Sequence, residues 1–198
     1  MSLTAIFGGT FNPLHIGHYE ILKVLQNDND VGKIFLMPDR IPPHKVCDIM
    51  ADDEIRIEMC RIAAQDFSKV QVCLIEFERE GKSYTFDTII ELQKKYKNEN
   101  FAFVCGGDML TSFDKWYKYE ELAKMVPFIA FRRSDTDNEF FDQCIAEFSK
   151  IGMKVKVIET NIPSVSSSEI RSDFSKAKEL LPNSIFDFLK GKGIYNAK

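Results

Sequence analysis

The stretch Gly8-Gly9-Thr10-Phe11-Asn12-Pro13-Leu14-His15-Ile16-Gly17-His18 holds two of the chain's three histidines, three residues apart. On a helix, positions i and i+3 share a face, so His15 and His18 can address one ligand together. Gly8 and Gly9 are expected to turn the backbone sharply, and Pro13 to set the start of a helix. Such a turn offers free backbone N–H groups at the positive end of a helix dipole, the natural seat of an anion and above all of a phosphate. A satisfied helix-start side chain is the simpler account of one histidine, but a poor account of two of the three. Chelation by His-x-x-His would need a third ligand and lacks the Glu of the His-Glu-x-x-His pattern, so no metal held by protein side chains is expected. Neither a Walker lysine nor the Gly-x-Gly-x-x-Gly spacing is present.

A second polar cluster lies at Pro163-Ser164-Val165-Ser166-Ser167-Ser168-Glu169-Ile170-Arg171. Ser166 or a neighbour fits the N-cap of a helix. Three hydroxyls at a helix start, with Arg171 one turn inside, also suit a triphosphate. Alone the cluster decides nothing; beside the histidine turn it favours phosphate.

The elements that must carry these residues are legible as six short apolar, β-rich runs: 3–7, 33–37, 70–75, 101–105, 128–131 and 154–158. They start about thirty residues apart, the length of a βαβ unit. Helical patterns fall between them at 15–26, 54–65, 86–97, 119–125 and 138–149. Continuous rather than alternating apolar strands indicate a sheet covered on both faces, hence an α/β, doubly wound parallel sheet. Two short helices in the tail should pack back on that sheet, and residues 1–198 read as a single domain. In such folds ligands bind beyond the carboxyl ends of the strands, where the histidine turn and the serine cluster both fall.

Composition sets limits. The chain has 198 residues, 44% of them hydrophobic, and a net charge of −4, against a general nucleic-acid partner. Its five cysteines are odd in number, widely spaced and never Cys-x-x-Cys, as expected of buried free thiols in a reducing compartment. No run has the length of a membrane span and no leader is evident, so a soluble cytoplasmic protein is expected. A homo-oligomer is compatible with the sequence, but no motif specifies one.

Taken together, Gly8–His18 and Val165–Arg171 resemble the (T/S)xxHxGH and SS(T/S)x(I/V)R motifs of the nucleotidyltransferase superfamily. Ile41–Lys45, Ser83–Thr88 and Gly106–Tyr117 narrow the resemblance to the bacterial nicotinate-nucleotide adenylyltransferases, in order and from Leu3 to about Tyr195. Departures are small: Asn12, Ser168 and Gly107 stand where Asp, Thr and Ser or Ala are common. The resemblance implies a Rossmann-like nucleotidyltransferase fold and transfer of AMP from ATP to nicotinate mononucleotide. The products would be nicotinate adenine dinucleotide and pyrophosphate. It implies His15 and His18 as catalytic residues, and Gly8, Gly9, Thr10, Phe11, Gly106, Asp108, Ser167, Ser168 and Arg171 with them at ATP. Lys45, Thr85, Trp116, Tyr117 and Arg133 would hold the acceptor, with Arg132 an alternative to its neighbour. Mg²⁺ would arrive with ATP, held by phosphates and water. Trp116, the only tryptophan, would stack on the pyridine ring, and Thr85 would cap a helix whose amides receive the nicotinate carboxylate. Pantetheine-phosphate adenylyltransferases and cytidylyltransferases share the phosphate motifs but not the middle ones. An aminoacyl-tRNA synthetase is excluded by length and by the missing lysine-rich signature. A non-catalytic nucleotide sensor would have no need of His15, His18 and Arg171.

Overall fold

The computed structural model describes residues 2–40, 50–133, 138–162 and 165–195. Strands β1 (Leu3–Gly9), β2 (Val31–Pro38), β3 (Val70–Val72), β4 (Asn100–Gly106), β5 (Phe128–Arg133) and β6 (Val155–Thr160) form one parallel sheet in the order β3-β2-β1-β4-β5-β6. Alternate residues of each central strand enter opposite cores. Ala5, Phe7, Ile34, Leu36, Ala102 and Val104 face one; Ile6, Phe35, Met37, Phe101, Phe103 and Cys105 face the other. Both faces are covered, which is why the strands read as unbroken apolar runs.

The helices present matching stripes. On one face, α1 (Ile16–Asn27) buries Tyr19, Leu22 and Leu25, and α2 (Asp53–Ala64) buries Met59, Cys60 and Ala63. On the other, α3 (Thr85–Lys95) buries Phe86, Ile89 and Leu92. A one-turn helix, α4 (Gly107–Leu110), follows β4, and α5 (Tyr119–Met125) and α6 (Asn138–Lys150) complete that layer. The tail forms α7 (Ser167–Ser172), α8 (Ala177–Leu180) and α9 (Asn183–Lys192), whose Ile170, Ala177, Ile185 and Leu189 return to the first core.

Three local expectations are corrected. β3 ends at Val72 rather than residue 75: Cys73 N–H still reaches Leu36 O, then the chain turns into a 3-10 helix, Ile75–Glu78, which buries Ile75 as a helical residue. The tail holds more helices than the expected pair. Gly8 and Gly9 do not turn the chain; they are the last residues of β1 and neither has positive φ. The turn comes at Phe11, with φ of 47°, and at the cis Asn12–Pro13 bond. Gly9 is needed for space, since a Cβ there would lie 2.9 Å from the Phe11 ring.

Candidate active site

At the carboxyl edge of the sheet, beside the switch from β1 to β4, a cavity of about 570 Å³ opens. Gly8, Gly9, Thr10, Phe11, His15, His18, Gly106, Asp108, Thr85, Trp116, Tyr117, Ser167, Ser168 and Arg171 all line it. Lys45 and the Arg133 side chain fall outside the described residues. Arg132 does not line the cavity. Its guanidinium pairs with Asp142 at 2.5 Å and Glu159 at 3.4 Å and lies over the Phe141 ring.

His15 is the N-cap of α1 and His18 its third helical residue. Their rings stack with centroids 3.7 Å apart, and Phe11 meets His18 edge-on at 5.0 Å. Phe11 holds a positive φ, and its ring meets both Phe7 and His18 edge-on. The His15 backbone N–H donates to His18 Nδ1 at 3.1 Å. An accepting Nδ1 carries no proton, so the neutral imidazole bears its hydrogen on Nε2 and can only donate there.

The carbonyls of this turn are occupied by protein donors. Gly9 O accepts the Asp39 N–H at 3.0 Å and Thr10 O accepts Arg56 Nη1 at 3.0 Å. Asn12 O accepts Arg171 Nη1 at 2.7 Å, and Pro13 O accepts the Ser167 hydroxyl at 2.9 Å. Oxygens engaged this way do not oppose an anion on the cavity side. Thr10 is fixed a second time, its hydroxyl donating to Asp39 Oδ2 at 2.9 Å. Ser166 caps α7 by accepting the Glu169 N–H, and Arg171 Nη2 donates to Ser168 Oγ at 3.1 Å.

Two turns form the opposite wall. Tyr84, not Thr85, is the N-cap of α3, and no side chain caps it; Thr85 is the first helical residue. Its N–H, like that of Tyr117, has no backbone partner among the described residues. The turns meet through the Tyr84 and Tyr117 rings, 4.8 Å apart. Trp116 packs on Phe103 and Phe113 and presents its remaining surface to the cavity, anchor and wall at once.

Sequence reasoning missed Arg56, Asp39 and Glu76. Arg56 is completely buried, its guanidinium donating to Asp39 O at 2.6 Å and Asp53 Oδ1 at 2.6 Å. A signal existed: Arg56, Met59, Cys60 and Ala63 follow a helical stripe, so a charge sits on a core-facing position. Asp39 directly follows β2, at the ligand-binding end of a strand. Glu76 lines the cavity and accepts the Thr88 hydroxyl at 2.8 Å. Burial pushes its carboxyl above the usual carboxylate range, against the opposing effects of the Ser83 and Thr88 hydroxyls and Arg79. Burial also pushes the Cys105 thiol up to about 12, and Cys60, Cys73, Cys105 and Cys144 are all free and buried.

The cytidylyltransferase-like family matches residues 6–173. A nicotinate-nucleotide adenylyltransferase of Bacillus subtilis (strain 168) is 33% identical over the whole of both chains. A probable nicotinate-nucleotide adenylyltransferase of Listeria welshimeri is 33% identical over 98% of this chain and 97% of its own. This chain belongs to the nicotinate-nucleotide adenylyltransferase family. Among solved structures, a Plasmodium falciparum nicotinic acid mononucleotide adenylyltransferase complexed with NaAD shares the fold, with a TM-score of 0.83, 21% identity, and 100% and 99% coverage. Among the described residues, Gly8–His18 and Val165–Arg171 line one side of the cavity, and Ser83–Thr85 with Trp116 and Tyr117 line another. No helix among the described residues is long and apolar enough to cross a membrane.

Proposed function

We infer that the protein transfers the adenylyl group of ATP to nicotinate mononucleotide, releasing pyrophosphate and nicotinate adenine dinucleotide. One observation carries this reading: a single cavity joins a histidine-bearing turn with its carbonyls engaged by protein donors to a second wall that pairs an indole with two backbone N–H groups lacking a backbone partner among the described residues. The acceptor's phosphate is already an anionic nucleophile, so no side-chain base is required. The protein has to align two phosphates and stabilise charge as it moves.

The donor side is the turn from Gly8 to Phe11 with His15 and His18, whose Nε2 hydrogen is directed by the bond at Nδ1. Ser167, Ser168 and Arg171 receive the departing pyrophosphate, and Gly106 and Asp108 border the adenosine. Among the described residues no three His, Cys, Asp or Glu side chains gather as a metal cage. Mg²⁺ would enter on the nucleotide's own oxygens, and Asp108, which lines the cavity, would orient its water. When bound, the ion neutralises phosphate charge. On the acceptor side Trp116 stacks on the pyridine ring, and the Thr85 and Tyr117 amides receive the carboxylate. Lys45 and Arg133 are proposed for the acceptor's phosphate on the family pattern alone. Free thiols fit the cytoplasm as the compartment.

Incubation with Mg-ATP and a panel of phosphorylated acceptors, followed by pyrophosphate release, tests the reading. Release should require nicotinate mononucleotide. Release with phosphopantetheine instead, or with no acceptor, would overturn it.

A further inference from the structure

Asn12 joins three distant parts of the chain inside the catalytic turn. Its side-chain Oδ1 accepts the N–H of Ala51, in the approach to α2, at 3.1 Å. The same oxygen accepts the hydroxyl of Tyr195, beyond α9. Its backbone carbonyl accepts Arg171 Nη1 at 2.7 Å. Asn12 is 1% exposed and Tyr195 6%, so these bonds are shielded from water.

Tyr195 reaches this position by an unusual path. Gly193 ends α9 in the left-handed region, with φ of 65°, and Tyr195 itself has φ of 59°. A left-handed tyrosine is strained, and its burial in the core beside Phe174 accounts for the ring. Packing does not account for the hydroxyl, since a phenylalanine would fill the same space. A carboxamide oxygen has two lone pairs, and here Ala51 and Tyr195 take both. With the Tyr195 hydroxyl removed, that oxygen loses a shielded donor and the carboxamide is less tightly oriented. The Asn12 peptide, whose carbonyl sets Arg171, moves with it.

We propose that Tyr195 is a positioning residue for the adenylyl-transfer site: its hydroxyl fixes Asn12, and through Asn12 the turn that carries His15 and the orientation of Arg171. This rests on the adenylyl-transfer reading for its kinetic part. The contribution belongs to alignment in the transition state, so it should appear in kcat rather than in substrate affinity.

The test is Tyr195→Phe, which keeps the ring and removes only the hydroxyl. With nicotinate mononucleotide and Mg-ATP, kcat should fall about tenfold, equivalent to about 1.4 kcal/mol, while both KM values stay within about twofold. Amide hydrogen exchange of the ligand-free variant should rise across residues 10–18 and stay unchanged in β4 and β5. Unchanged kcat, equal changes in KM and kcat, or faster exchange confined to α9 would overturn the proposal and leave Tyr195 as packing only. The exchange experiment needs no substrate. Faster exchange at 10–18 in a protein inactive on nicotinate mononucleotide would therefore keep the Tyr195 bracing and refute the substrate assignment.

Discussion

Replacing Arg56 by Met tests whether the catalytic turn is held by a buried charge. Methionine fills a similar volume but donates nothing. Thr10 O and Asp39 O lose their guanidinium partners, and the Asp39 carboxylate, 19% exposed, loses its countercharge at 3.3 Å. Breaking one side of a buried ion pair typically costs about 3–5 kcal/mol. Asp53 is 49% exposed and recovers solvation, which places the expected loss near the lower end, about 3 kcal/mol. For a chain of this length that lowers Tm by about 6–12 °C. Urea unfolding at neutral pH measures it, with an unchanged slope expected because the surface exposed is the same. Activity should fall more than tenfold, since Thr10 loses its carbonyl anchor and Asp39, the partner of its hydroxyl, loses the guanidinium beside it. Arg56→Lys should lie between, because one ammonium cannot span Asp39 and Asp53 as the fork does. A loss below about 1 kcal/mol with kcat intact would refute the reasoning, and the turn would then owe its shape to local backbone alone.

His18→Ala should lower kcat by about 10²–10³ with a much smaller change in ATP affinity, as for a lost transition-state donor; steady-state kinetics with equilibrium ATP binding separates the two. Nicotinate should be preferred over nicotinamide mononucleotide by at least about tenfold in kcat/KM, because hydrogen bonds to a charged carboxylate are worth about 1.5–3 kcal/mol; a ratio near one would remove the Thr85 and Tyr117 amides from the acceptor site. Glu76 has a folded-state affinity for protons above its unfolded one, so the wild type should lose stability as pH rises from about 4.5 toward neutral. Glu76→Gln should flatten that slope in urea melts at several pH values and be at least as stable at pH 7; a steeper slope would show that the carboxylate is needed in its charged form.

The strands and helices were legible because each carries its own signal: an apolar run between turn residues, or a stripe such as Phe86, Ile89 and Leu92. The carboxyl-edge rule then gathered the histidine turn and the serine cluster at the rim where the cavity opens. What stayed hidden depends on partners far along the chain. Arg56 reads as a helix charge until Thr10, 46 residues away, supplies its acceptor, and Tyr195 reads as tail until it meets Asn12 across 183 residues. The assignment of the turn to Gly8 and Gly9 failed for a different reason. Glycine serves equally for a positive φ and for a close approach, and here Phe11 takes the turn while Gly9 makes room for its ring.

The sheet also partitions the cavity. Phe7 and Phe131 reach it from the layer of α1, α2 and α7, while Met37, Phe103 and Trp116 reach it from the layer of α3 and α5. The histidines and serines stand with the first group, the Thr85 and Tyr117 amides with the second. On the proposed reading, repacking the second layer would reshape the acceptor pocket and leave the donor side untouched. The strand common to both layers sets the limit on that freedom: β1 ends in Gly9, where a side chain would press on the Phe11 ring at 2.9 Å.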